Sequence, residues 1–79
     1  MISKRERKKL KKIIGNHYAK EVAELLAEEG FRNKAGRPYS PASVRMVFNG
    51  FRENEVIELA IRYLAESKKQ ERKKLMPRR

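Results

Sequence analysis

Apolar residues in this chain fall into four short sets, each at helical rather than alternating spacing and separated by Gly, Asn and Pro. Leu10, Ile13 and Ile14 predict a first helix over 3–14, with Ser3 as its cap and Gly15 as its stop. Tyr18, Val22, Leu25 and Leu26, flanked by Ala19 and Ala23, predict a second over 17–29, capped by Asn16 and ended by Gly30. The two alanines let another helix come close. Val44, Val47 and Phe48 predict the buried face of a short third helix, with Ser40 as cap, Pro41 in the first position and Asn49-Gly50 as the stop. A fourth helix is predicted from Asn54, its cap, to about Lys69. Val56, Ile57, Leu59, Ala60, Ile61, Tyr63 and Leu64 spread over more than one of its faces. That is wider than one packing stripe needs, so this helix either lies deep between others or carries an intermolecular contact.

The pattern predicts an all-α fold: a small four-helix domain containing a helix-turn-helix with a long turn, flanked by basic flexible tails. The connection from Phe31 to Tyr39 exceeds the usual turn of roughly three to four residues. Phe31 and Tyr39 read as anchors for its two ends, and residues 33–37 as an exposed, loosely hairpin-like tip. Tyr18, Phe31, Tyr39, Phe48, Phe51 and Tyr63 read mostly as core. Residues 1–69 form the expected domain, and 70–79 a basic, disordered tail.

Composition narrows the class. Seventy-nine residues allow one domain with a small core, and the 39% hydrophobic fraction is matched by 39% charged residues. Without cysteine neither a disulfide nor a thiolate site staples the fold, which leaves helix packing to stabilise it. The net charge of +11 divides as +6 over residues 1–14, −1 over 15–66 and +6 over 67–79. The ends therefore attract polyanions in general. Within the body the signs are segregated: from Gly30 to Arg52 there are five basic residues and no acid. Six basic residues among positions 3–11 oppose the dipole of the first helix, so its first turns are expected to fray without a partner. No apolar run reaches the roughly 20 residues of a membrane span, and the basic N-terminus lacks the apolar stretch of a signal peptide. A cytoplasmic, nucleoid-associated protein is the expectation.

Catalysis has little to work with. The chain has one His, no Cys and no Asp. His17 at a helix start reads as a surface or phosphate-contacting group, and scattered glutamates around a lone imidazole have no metal-ligand spacing. Gly15, Gly30, Gly36 and Gly50 are isolated and form no phosphate loop. No enzyme, metal, cofactor or small-molecule ligand is expected. The acid-free third helix instead suits duplex DNA, because a helix fits the major groove and its first turns meet base edges. Ser40, Ala42, Ser43, Arg45, Met46 and Asn49 are the candidate base contacts: Arg45 for guanine, Ser43 for several bases, Ala42 or Met46 for a thymine methyl. Asn16, His17, Lys20, Arg32, Lys34, Arg37 and Arg52 are the candidate phosphate contacts. Arg62, lying among acids, reads as a local ion-pair partner.

Two resemblances agree with this. Ser40-Pro41-Ala42-Ser43-Val44-Arg45-Met46-Val47-Phe48-Asn49-Gly50, followed by Arg52, Asn54 and an acidic-apolar helix, resembles the recognition-helix region of lambda-repressor-like (Cro-type) transcriptional regulators. The resemblance spans about Asn16 to Ala65 and implies an all-helical operator-binding domain, often dimeric, of bacteria or their phages. The long connection departs from that family. Ala23-Glu24-Leu25-Leu26-Ala27-Glu28-Glu29-Gly30-Phe31-Arg32, then Gly36-Arg37-Pro38-Tyr39-Ser40-Pro41-Ala42-Ser43-Val44, is similar to the DNA-binding region of large serine recombinases and accounts for that connection. That family implies an attached catalytic domain, which has no counterpart in these residues.

The expected function is sequence-specific binding of double-stranded DNA by a repressor-like regulator, acting as a homodimer and reading the major groove with residues 40–49. Two alternatives stand beside it. One is an RNA-binding or ribosome-associated basic protein. The other is a phage-type inhibitor acting by protein–protein contact, for which the wide apolar face of the fourth helix is the support.

Overall fold

The computed structural model describes residues 2–75, with side chains through Glu71. Its helices are α1 (Lys4–Ile14), α2 (Tyr18–Glu28), α3 (Pro41–Phe48) and α4 (Glu55–Leu75), and the described residues contain no strand. Three of the four start on a side-chain cap. Ser3 Oγ accepts the Glu6 N–H at 3.1 Å, Ser40 Oγ accepts the Ser43 N–H at 3.2 Å, and Asn54 Oδ1 accepts the Ile57 N–H at 3.1 Å. Helix α2 differs from expectation. Its cap position is held by His17, not Asn16, with φ −96° and ψ 14° and no side-chain cap bond. A capping side chain needs an extended backbone to aim at the first free amides, and the backbone at His17 is not extended.

Helices α2 and α3 end on the same device. The Phe31 N–H donates to Leu26 O at 2.9 Å and the Gly30 N–H to Ala27 O at 3.1 Å. After α3, the Phe51 N–H donates to Met46 O at 2.9 Å and the Gly50 N–H to Val47 O at 3.2 Å. Both glycines sit at positive φ, 82° and 86°, as this double bond to the last carbonyls requires. The geometry corrects the expectation that Phe31 and Phe51 are core. Each follows a helix end and stays on the surface, with Phe51 77% exposed. Tyr63 is exposed as well, so of the six aromatic residues Tyr18 and Phe48 are buried and Tyr39 half-buried.

The core forms where α2 packs on α3 and α4, and where α1 and α3 each pack on α4. Val22, Val44, Val47 and Ile61 are fully buried at its centre, with Phe48 packed at a tilt of 42° against Tyr18, 4.6 Å between ring centroids. Leu10 and Ile14 join from α1, and Ile2, ahead of the helix, is 1% exposed. The periodic pattern that predicts α1 does not reach back to Ile2.

The first turns of α1, expected to fray, have partners inside the molecule. Arg62 of α4 clasps the Glu6 carboxylate with two bonds of 2.8 and 3.1 Å, and also lies 3.8 Å from Glu58 one turn back. It is thus a bridge between helices as well as a local partner. Its hydrogen bond and charge hold the Glu6 carboxyl below its ordinary value. Helix α4 runs past Lys69 to Leu75, so residues 70–75, expected as disordered tail, are helical; 76–79 lie outside the described residues. The straight-chain residues Lys68, Lys69, Gln70 and Glu71 are good helix formers. Lys68 pairs with Glu21 of α2 at 3.0 Å, and Gln70 donates to Glu66 at 3.2 Å, which ties this stretch to the body and to its own previous turn.

Candidate nucleic-acid interface

Burial of Val44, Val47 and Phe48 fixes which way α3 faces. The opposite positions, Ala42, Arg45, Met46 and Asn49, follow the i, i+3, i+4, i+7 spacing and are all exposed. Four of the six candidate base contacts therefore share one open face. The other two are turned to local work: Ser40 Oγ caps the helix and donates to Ser43 Oγ at 3.2 Å. Asn49 is partly committed too, its Nδ2 donating to Arg45 O at 2.9 Å. Arg45 and Met46 are the long side chains left to reach outward.

All seven candidate phosphate contacts are exposed or nearly so. Arg32, Lys34 and Arg37 surround a tip that is tighter than the loose hairpin expected. Asn33 Oδ1 accepts the N–H groups of Ala35 and Arg37 at 2.9 and 3.0 Å, and the Asn33 N–H donates to Arg37 O at 2.8 Å. One asparagine thus shapes the connection that leads into α3. Asn16 and His17 lie in the α1–α2 turn with Lys20 just inside α2, and Arg52 follows the α3 stop.

What the chain pattern does not reveal is that α1 borders α3. Arg7 Nε donates to Phe48 O at 2.8 Å, placing a positive charge at the negative end of the α3 dipole. A Cβ on Gly50 would come within 2.9 Å of Arg7 Nη2, so the guanidinium lies over the end of the helix. Lys4, Arg7, Lys8 and Lys11 line a shallow groove with Phe48 and Asn49. Lys11 Nζ stands 5.5 Å from the Tyr18 ring centroid. Burial pushes the Tyr18 phenol up from its ordinary value, and the Arg45 and Arg7 charges pull it partly back. Arg45 and the basic face of α1 thus surround the same residue.

A second groove lies between α2 and α4. Leu25, Leu26, Glu29, Phe31, Val56, Leu59, Ala60 and Tyr63 line it, with Leu59 65% and Tyr63 62% exposed. Among the described residues no cluster of His, Cys, Asp and Glu could hold a metal ion, and no helix is long and apolar enough to cross a membrane. No family model, curated protein or solved structure matches the chain.

Proposed function

We propose that this protein is a sequence-specific, repressor-like binder of duplex DNA that inserts α3 into the major groove, with α2 and α3 acting as a helix-turn-helix with a long turn. One observation supports the reading above the others: Ala42, Arg45, Met46 and Asn49 stand open on one face of a helix whose other face is core. No acid occurs from Gly30 to Arg52, so nothing on that helix repels phosphate. Arg45 has the reach and the fork geometry for guanine O6 and N7.

Selection from a random duplex library with the purified protein tests this, with structured RNA as competitor. An enriched motif that RNA does not displace supports it, and two inverted half-sites support a homodimer. Arg45→Ala should cost roughly 1–3 kcal/mol of binding and relax preference at one base pair. An unchanged sequence profile in that variant overturns the role of Arg45. Binding to RNA in preference to duplex would favour the ribonucleoprotein alternative. Failure to bind either nucleic acid leaves the protein-contact reading, which rests on the open α2–α4 groove.

A further inference from the structure

The basic residues of α1 occupy two faces. Lys4, Arg7, Lys8 and Lys11 recur at i, i+3, i+4 and i+7 and share one; Arg5, Lys9 and Lys12 share another. Only the first set lines the groove at the C-terminal end of α3. Its place there is held by bonds rather than by charge alone. Arg7 is committed to Phe48 O, Glu6 to Arg62 of α4, and Leu10 and Ile14 to the core. With Arg7 so occupied, Lys4, Lys8 and Lys11 remain exposed along a helix tied to α3, to α4 and to the core. No carboxylate is among the residues lining that groove. The acid nearest in sequence, Glu6, is clasped by Arg62.

Three ammonium groups on one rigid face, beside the end of a helix that itself carries no acid, fit an extended polyanion. The α3 helix, at about 1.5 Å per residue, is about 12 Å long, close to the width of the major groove. A helix of that length seated at an angle in the groove brings each of its ends toward a phosphate strand. The connection with Arg32, Lys34 and Arg37 leads into one end, and α1 stands at the other.

We infer that Lys4, Lys8 and Lys11 form a positioned phosphate clamp, which grips the DNA backbone at the C-terminal end of α3. The clamp rests on the duplex-binding reading given above. It assigns to α1 a fixed place in the interface, where composition alone describes a basic arm of general attraction.

A charge-matched pair of variants of the full chain tests it. One carries Lys4→Gln, Lys8→Gln and Lys11→Gln together; the other carries Arg5→Gln, Lys9→Gln and Lys12→Gln. Both remove three charges from exposed positions and leave Arg7 and the buried side chains in place; Lys11→Gln also gives up its contact over the Tyr18 ring, and circular dichroism melts check that both fold. Affinity for the selected duplex is then measured against salt concentration. The clamp predicts that the first variant flattens the log–log salt slope by about 3, weakens all duplexes to a similar degree, by roughly tenfold or more near 0.1 M salt, and keeps the sequence profile. The second should change the slope by less than about 1. Equal losses in the two variants overturn the clamp while leaving the proposed function intact, because the wild-type protein still selects its site. A changed sequence profile in the first variant overturns it too. Absence of duplex binding by the wild-type protein overturns both.

Discussion

The α1–α3 surface and the α2–α4 surface treat apolar side chains in opposite ways. Along α1 and α3, Leu10, Ile14, Val44, Val47 and Phe48 are all buried, and Lys and Arg dominate what remains outside, with Pro41, Ala42, Met46 and Asn49 beside them. Along α2 and α4, Leu59, Tyr63 and Phe31 stay open beside Glu29. Both surfaces are built from amphipathic helices, so amphipathicity alone does not separate them. Helix number and width do. The short α3 buries Val44, Val47 and Phe48 on one face, and Met46 is the large apolar side chain it leaves outside. The longer α4 has more apolar residues than α1, α2 and α3 together cover. A surface whose apolar groups are mostly inside can be given over to charge and hydrogen bonding; a surface with a groove of apolar groups left over favours contact with another apolar surface.

Substitutions can break or sharpen that contrast. Phe48→Ala removes the side chain that supports α3 from behind and should cost about 3–5 kcal/mol. A domain of this length has roughly 4–12 kcal/mol in total, so denaturant titration should find that this variant has lost a large share of its stability. Retention of most of the stability would mean that α3 does not depend on its buried face. Gly50→Ala places a side chain at φ 86° and within 2.9 Å of the Arg7 guanidinium. It should cost about 1–2 kcal/mol in thermal unfolding, through the left-handed backbone penalty.

Glu6→Gln loosens the tie from α1 to α4 and should cost up to about 1 kcal/mol, since both partners are partly exposed. The pH dependence has a definite sign. The folded carboxyl titrates below its unfolded value, so its contribution is complete above the ordinary glutamate range and is lost as pH falls through the lowered value. The wild-type and Glu6→Gln proteins should therefore converge in stability on acidification; a gap that widens would refute the assignment. Leu59→Ser, on the other surface, should change monomer stability by less than about 0.5 kcal/mol, because that side chain is largely in water. A large loss in the Leu59 variant would show that the open groove is covered in solution, and analytical ultracentrifugation of both proteins would show by how many chains.

Much of the fold is legible in the residues themselves, and the reason is local. Ser3, Ser40 and Asn54 cap helices because their short side chains reach amides three residues on, whatever the rest of the molecule does. Gly15, Gly30 and Gly50 stop helices because each takes a positive φ at the end. Departures from the local pattern arise where residues farther along the chain intervene. Asn16 is a good capping residue, but the helix puts His17, one position later, at its cap. The highly charged composition after Lys69 predicts an end there, yet Lys68–Glu21 and Gln70–Glu66 pairing carries the helix onward.

What the residue order determined by itself is the four helices, the open face of α3 and the charge on each segment, because caps, stops and the 3.6-residue period act within a few residues. What only the tertiary structure decided is which segments meet. Arg7 on Phe48 O spans 41 positions, and Arg62 on Glu6 spans 56. No periodicity reaches that far. Those two long-range bonds, together with the shared core, turn a basic N-terminal helix into a fixed neighbour of α3.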